Sequence, residues 1–127
     1  MSAREENSII SSHRRFIRNL DDENFYTQLA NTPGLSVAFF SSHGCASCRR
    51  WKELFREFLA QYDDVQIFAV DAQASMALTR AYEVFHLPSL FLFIDGQYHR
   101  PLQPHASVES LRETIDQAMT LHAEDEP

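Results

Sequence analysis

Cysteine is scarce in this chain: Cys45 and Cys48 are the only two among 127 residues. A second ligand pair, of the kind a structural zinc site ordinarily shows, is therefore missing. Long apolar runs are missing too. The longest, around Leu90 to Ile94, is far too short to span a bilayer. Met1 to Asn7 is charged and no apolar stretch follows it, which predicts no secretory signal and a cytoplasmic protein. Positive charge is in deficit, with 11 Lys and Arg against 18 Asp and Glu, for a formal net charge of −7. That balance argues against nucleic acid or an anionic membrane surface as a partner. No internal repeat or linker is visible. Nor does any stretch resemble a nucleotide-, flavin- or glutathione-specific motif, so no cofactor is expected. What remains is a chain 44% apolar with ten phenylalanines, the composition of one α/β domain with a single buried core.

Periodicity divides the chain. Residues 1–13 are polar and read as a flexible tail, 14–121 as the domain, and 122–127 as an acidic tail that should fray. Arg15 to Leu20 reads as a short strand. Asp21 is a good N-cap, with Leu20 and Phe25 in the staple positions, which predicts a helix from about Asp22 to Ala30. Thr32-Pro33-Gly34 stops it. Leu35 to Phe40 is apolar apart from Ser36, as a strand covered on both faces should be. Trp51, Leu54, Phe55, Phe58, Leu59 and Tyr62 then form one helical stripe. Val65 to Val70 reads as a second buried strand, Ser75 as the cap of a helix to about Val84, and Ser89 to Ile94 as a strand. Asp95-Gly96 is a hairpin turn leading to a short partner strand, Gln97 to Arg100. Ser107 starts a last helix with Val108, Leu111, Ile115, Ala118 and Met119 on one face. The order is β-α-β-α-β-α-β-β-α, a mixed central sheet flanked by helices.

The two cysteines carry the chemistry. Cys45-Ala46-Ser47-Cys48 follows an apolar strand and opens an amphipathic helix. Thiols at that spacing close into a short disulfide, and a thiolate on Cys45 would meet unpaired N–H groups and the positive end of the helix dipole. Cys45 is then the nucleophile that attacks a protein or small-molecule disulfide, and Cys48 the thiol that resolves the mixed disulfide. Two other readings stand beside this one: inert buried thiols, or a metal or cluster site completed by His43 or His86. Covalent haem is excluded, because Arg49 stands where that motif needs histidine. His43, Ser47, Arg49 and Arg50 lie close enough in sequence to the site to tune the thiolate, and His86, two residues before Pro88, is a further candidate. Gly44, Phe85 and Leu87 are candidates for an apolar patch around the sulfur. Trp51 and the phenylalanines at 39, 40, 55, 58, 68, 91 and 93 read as core, and Arg14, Arg15 and Arg18 as a solvated basic face.

This element order, with Cys45-Ala46-Ser47-Cys48 at a helix start and Leu87-Pro88-Ser89 opening an Asp95-Gly96 hairpin, resembles the thioredoxin family over residues 14–121. The resemblance implies that Pro88 is cis and faces the disulfide, and that the backbone of Leu87 pairs with an extended substrate chain. It implies a disulfide oxidoreductase with an unspecified electron donor. The chain departs from the family pattern at several positions. Gly44 replaces the tryptophan before the first cysteine, and Ala46-Ser47 replaces Gly-Pro between the two. Phe39 stands where typical members bury an aspartate, and Ile67 where they carry a lysine. A thioredoxin-like binding or chaperone module, with secondary thiol chemistry, is the alternative that the fold alone leaves open.

Overall fold

The computed structural model describes residues 16–127; the expected tail over 1–13, Arg14 and Arg15 lie outside them. Nine elements follow in the expected order: β1 (Arg18–Leu20), α1 (Phe25–Ala30), β2 (Leu35–Ser41), α2 (Ala46–Gln61), β3 (Val65–Asp71), α3 (Met76–Ala81), β4 (Ser89–Ile94), β5 (Gln97–Leu102) and α4 (Val108–Met119). The sheet runs β1-β3-β2-β4-β5. β3 pairs parallel with β1 and β2, and β4 pairs antiparallel with β2 and β5.

The continuous apolar runs are explained by burial on both faces. Side chains alternate along a strand, and here each alternation meets a helix layer. Val37, Phe39, Ile67, Ala69 and Leu92 face α2 and α4, where Trp51, Phe55, Phe58, Leu111 and Ile115 cover them. Ala38, Phe40, Phe68, Val70 and Phe91 face α1 and α3, under Phe25, Leu29, Leu78 and Tyr82. Phe39, Phe40, Phe55, Phe58 and Phe68 are fully buried. Each contributes roughly 2–3 kcal/mol through burial.

Several boundaries differ from the sequence reading. α1 begins at Phe25, not Asp22, because Asp21 Oδ1 accepts from the N–H groups of Glu23 and Asn24 (2.9 and 3.1 Å) and holds a turn there. α3 ends at Ala81 rather than Val84. Glu83 takes a left-handed conformation (φ 52°), and Val84 N–H returns to the Thr79 carbonyl at 3.0 Å, a Schellman closure. Ser75 caps α3 by position but not by side chain. Asp22 does that work from 55 residues away, accepting from Leu78 N–H at 3.0 Å and Ala77 N–H at 3.4 Å. β5 continues to Leu102 through Pro101, which an edge strand tolerates. Met119 is exposed, although Val108, Leu111, Ile115 and Ala118 are buried as expected. The acidic terminus is not free: Glu124 N–H donates to the His99 carbonyl, its carboxylate pairs with Arg100, and Glu126 accepts from the Tyr82 hydroxyl.

Candidate active site

β2 delivers the chain to the site and α2 carries it away. After Ser41, Cys45 N–H closes a turn onto the Ser42 carbonyl (3.3 Å), and Cys45 becomes the N-cap of the 16-residue α2. Its extended backbone (φ −96°, ψ 108°) turns the side chain toward the first helical turn, where Sγ accepts the N–H of Cys48 at 3.1 Å. This is the role an oxygen plays in an ordinary cap. Ser47 Oγ lies 3.4 Å from the same sulfur. Cys45 and Cys48 are joined as a disulfide, their Cα atoms 5.2 Å apart. The two sulfurs have unlike surroundings. Cys45 is half-buried at the margin of the core, whereas Cys48 is 1% exposed and packs in the cluster that contains Phe39, Trp51, Phe55 and Ile67.

Leu87-Pro88 is a cis peptide bond. It immediately precedes β4, whose Ser89 pairs with Phe40 near the end of β2. That register puts Pro88 at the same end of the sheet as the Ser42–Cys45 turn. Leu87 packs against both core clusters, and Cys45 against one of them. Phe85, two residues earlier, stands 83% exposed.

The expected tuning residues separate into two groups. Ser47 reaches the sulfur. His43 is directed to Asp71, with Nε2 3.6 Å from Oδ2, and is 88% exposed. Arg49 donates to the His43 carbonyl at 3.2 Å, which braces the turn instead of addressing the sulfur. Arg50 lines a surface cleft with Glu53 and Glu57 between α2 and the start of α4. His86 is exposed, and its carbonyl accepts from Ser89 Oγ at 2.6 Å. Gly44 has neither a left-handed backbone nor any atom within 4 Å of the position a Cβ would take. Arg18, of the basic group, stacks over the Phe68 ring at 5.6 Å and donates to Gln28.

Beneath Cys48 the surroundings are apolar. Phe39 packs edge-on against Phe55 with centroids 4.9 Å apart, and Ile67 is 1% exposed. Among the described residues no Asp or Glu is buried, so the Cys48 proton has no internal carboxylate to receive it. Likewise, among them no group of three or more His, Cys, Asp or Glu side chains is arranged to hold a metal ion, and no helix is long and apolar enough to cross a membrane.

Two features of the site were not read from the sequence. One is the His43–Asp71 pairing. The other is a cleft of about 270 Å³ at the carboxyl ends of β1, β2 and β3, lined by Leu20, Asp21, Ser42, His43, Asp71 and Ser75 among others. Its walls come from four separate stretches of chain, and the one visible signal was an aspartate directly after an expected buried strand.

The sequence profile of the family described as Thioredoxin matches residues 16–117. No curated protein matches the chain. Among solved structures, human ERp44 in its zinc-bound form superposes with a TM-score of 0.70 at 24% identity, covering 80% of this chain and 32% of its own. The J-Trx1 fragment of ERdj5 gives 0.71 at 27% identity, covering 88% and 56%. A designed protein gives 0.69 at 18% identity, covering 81% and 97%. The likenesses to ERp44 and to the designed protein are likenesses of fold. This chain spans about a third of the ERp44 structure and about half of the ERdj5 fragment.

Proposed function

The chain belongs to the thioredoxin family, and on that premise we propose that it is a thiol–disulfide oxidoreductase acting through Cys45 and Cys48. The observation that carries this reading is the asymmetry of the pair. Cys45 caps α2 at the margin of the core, with the Cys48 N–H and the Ser47 hydroxyl within reach of its sulfur, while Cys48 lies covered behind it. A Cys45 thiolate would gain two local donors and the positive end of the α2 dipole.

The exchange runs in two displacements. The reduced Cys45 thiolate attacks one sulfur of a substrate disulfide, forming a mixed disulfide and expelling the other sulfur as a thiolate. Cys48 then loses its proton to solvent and attacks Cys45 Sγ. The Cys45–Cys48 bond forms, the mixed disulfide breaks, and the second substrate thiolate leaves. Two electrons pass from the dithiol to the substrate, and the reverse sequence oxidises a substrate dithiol. The potential decides which direction operates. Substrates are protein or small-molecule disulfides, and a separate thiol or disulfide resets the pair.

The test is equilibration in glutathione redox buffers, followed by alkylation and a count of free thiols by mass. A two-electron transition near about −270 mV assigns a reductant, and one nearer −200 mV an oxidant or isomerase. If oxidising buffer leaves both thiols free, the proposal fails.

The exposed ring of Phe85, beside Leu87-Pro88, favours one further reading: a protein-binding module whose thiols are secondary. On that reading Cys45→Ala retains noncovalent partners and Phe85→Asp releases them.

A further inference from the structure

The cleft at the carboxyl ends of the three parallel strands adjoins the disulfide without being part of it. It begins at Ser42 and His43, and His43 stands two residues before Cys45 within a turn, at most roughly 7 Å of chain away. A substrate segment bonded to Cys45 therefore needs only a residue or two to reach it.

The lining suits one long cationic side chain. Leu20 and Ala69 supply apolar surface of the kind that covers an aliphatic stem. Asp21 and Asp71 supply carboxylates, each with Oδ1 engaged by two backbone N–H groups. Asp71 Oδ2 already faces a basic ring, that of His43. Lys52 lies along the same cleft. Two carboxylates against one ammonium leave a net negative charge when His43 is neutral. Ser75 adds a second kind of evidence: it is 1% exposed, it lines the cleft, and its hydroxyl has no hydrogen-bond partner. A buried hydroxyl without a partner is an acceptor and donor left over by the fold. The volume, about 270 Å³, matches a single side chain better than a cofactor.

We propose that this cleft is a specificity subsite that receives an arginine or lysine side chain lying within two residues of the substrate's reactive cysteine. The proposal rests on the oxidoreductase reading and names its substrate class: protein disulfides with basic flanks. Arginine fits better than lysine, because its planar fork of donors matches a carboxylate where an ammonium is a point charge.

The test uses short peptides whose cysteine is held as a mixed disulfide with thionitrobenzoate, flanked two residues away on each side by arginine or by its neutral isostere citrulline. The reduced Cys45 thiolate attacks the peptide sulfur and expels coloured thionitrobenzoate, giving a rate at mildly alkaline pH. The arginine peptide should react about fivefold faster, the ratio a solvent-facing ion pair supports. That ratio should fall toward one in Asp71→Asn, which keeps Oδ1 for the Gln73 and Ala74 N–H groups. It should also fall in the unaltered protein at molar salt, a measurement independent of any variant's folding. Equal rates for the two peptides would overturn the subsite and leave the oxidoreductase standing. No release from either peptide, nor from the neutral reagent dithiodipyridine, would overturn both.

Discussion

The backbone N–H of Cys48 points at the sulfur of Cys45 from 3.1 Å, one turn into α2. The helix cap and the disulfide are thus made by the same two residues, four positions of chain in all. The hydrogen bond that would otherwise be satisfied by a serine or aspartate oxygen is given to sulfur. On the proposed mechanism this geometry also sets the order of events, since Cys45 is half-buried and Cys48 is covered.

Cysteine replacement should therefore give opposite results at the two positions. Cys48→Ser should accumulate mixed disulfides with substrate, visible as adducts by mass and removed by dithiothreitol. Cys45→Ser should form none above background, and turnover should fall to the uncatalysed rate in both. Adducts that form on Cys48 in the Cys45→Ser protein, at the rate seen for the converse variant, would reverse the assignment.

Gly96 marks a close approach that no other glycine here shares. Its φ is 80°, and an added Cβ would lie 2.5 Å from the Leu29 carbonyl oxygen and 2.7 Å from Ala30 Cα, both backbone atoms at the end of α1. Gly96→Ala should cost about 2–4 kcal/mol, through the left-handed φ and the forced shift of helix against hairpin. Gly44→Ala, with open space at its Cβ, should stay within about 0.5 kcal/mol. Urea midpoints at constant m-value measure both. A Gly96→Ala protein as stable as the parent would refute the packing of turn on helix.

Asp22 caps a helix to which it is not local. Its two carboxylate oxygens receive the Ala77 and Leu78 N–H groups at the start of α3. Asp22→Ala should lower stability by about 1 kcal/mol, the ordinary worth of a cap. Amide exchange should quicken in α3 more than in α1. Uniform loss of protection would show that the bond is incidental.

The terminal segment creates an alkaline sensitivity. Burial, together with the charges of Glu124 and Glu126, pushes the Tyr98 phenol up to about 12. Burial and the hydrogen bond to Glu126 raise Tyr82 as well. A phenol whose folded pKa exceeds its unfolded value near 10 keeps its full contribution below about pH 10 and loses it as pH rises toward 12. After solvent screening is allowed for, stability should fall by on the order of 1–2 kcal/mol across that window. Ultraviolet phenolate titration of the native protein should show these two rings ionising last. Tyr98→Phe should flatten the pH dependence of the urea midpoint, and an unchanged slope would count against the coupling.

Element order, sheet composition and the pairing of the two cysteines were legible in the chain because each has a local cause. The α2 stripe from Trp51 to Leu59, the buried runs 35–40 and 65–70, and the Asp95-Gly96 turn rest on periodicity or on backbone freedom within a few residues. Both cysteines could be placed at a helix start because they fall between a buried strand and the stripe that opens at Trp51. The errors have a different origin. α1 starts late because Asp21 makes a turn with its own backbone neighbours, and α3 stops early because Glu83 adopts φ 52°. A turn and a helix start use the same aspartate, and nothing local distinguishes them.

The site divides in the same way. Sequence alone marked the candidate atoms, two thiols at a disulfide-forming spacing after a buried strand. Only the tertiary structure decided what surrounds them. It directs His43 to Asp71 instead of the sulfur, turns Arg49 back onto the His43 carbonyl, covers Cys48 with Phe39 and Ile67, and gathers Leu20, Asp71 and Ser75 into one cleft. The physical reason is separation along the chain. Placements such as His43 beside Asp71, or Leu20 and Asp71 in one cleft, depend on sheet register and helix packing, whereas a tight turn or a helical stripe is settled within a dozen residues.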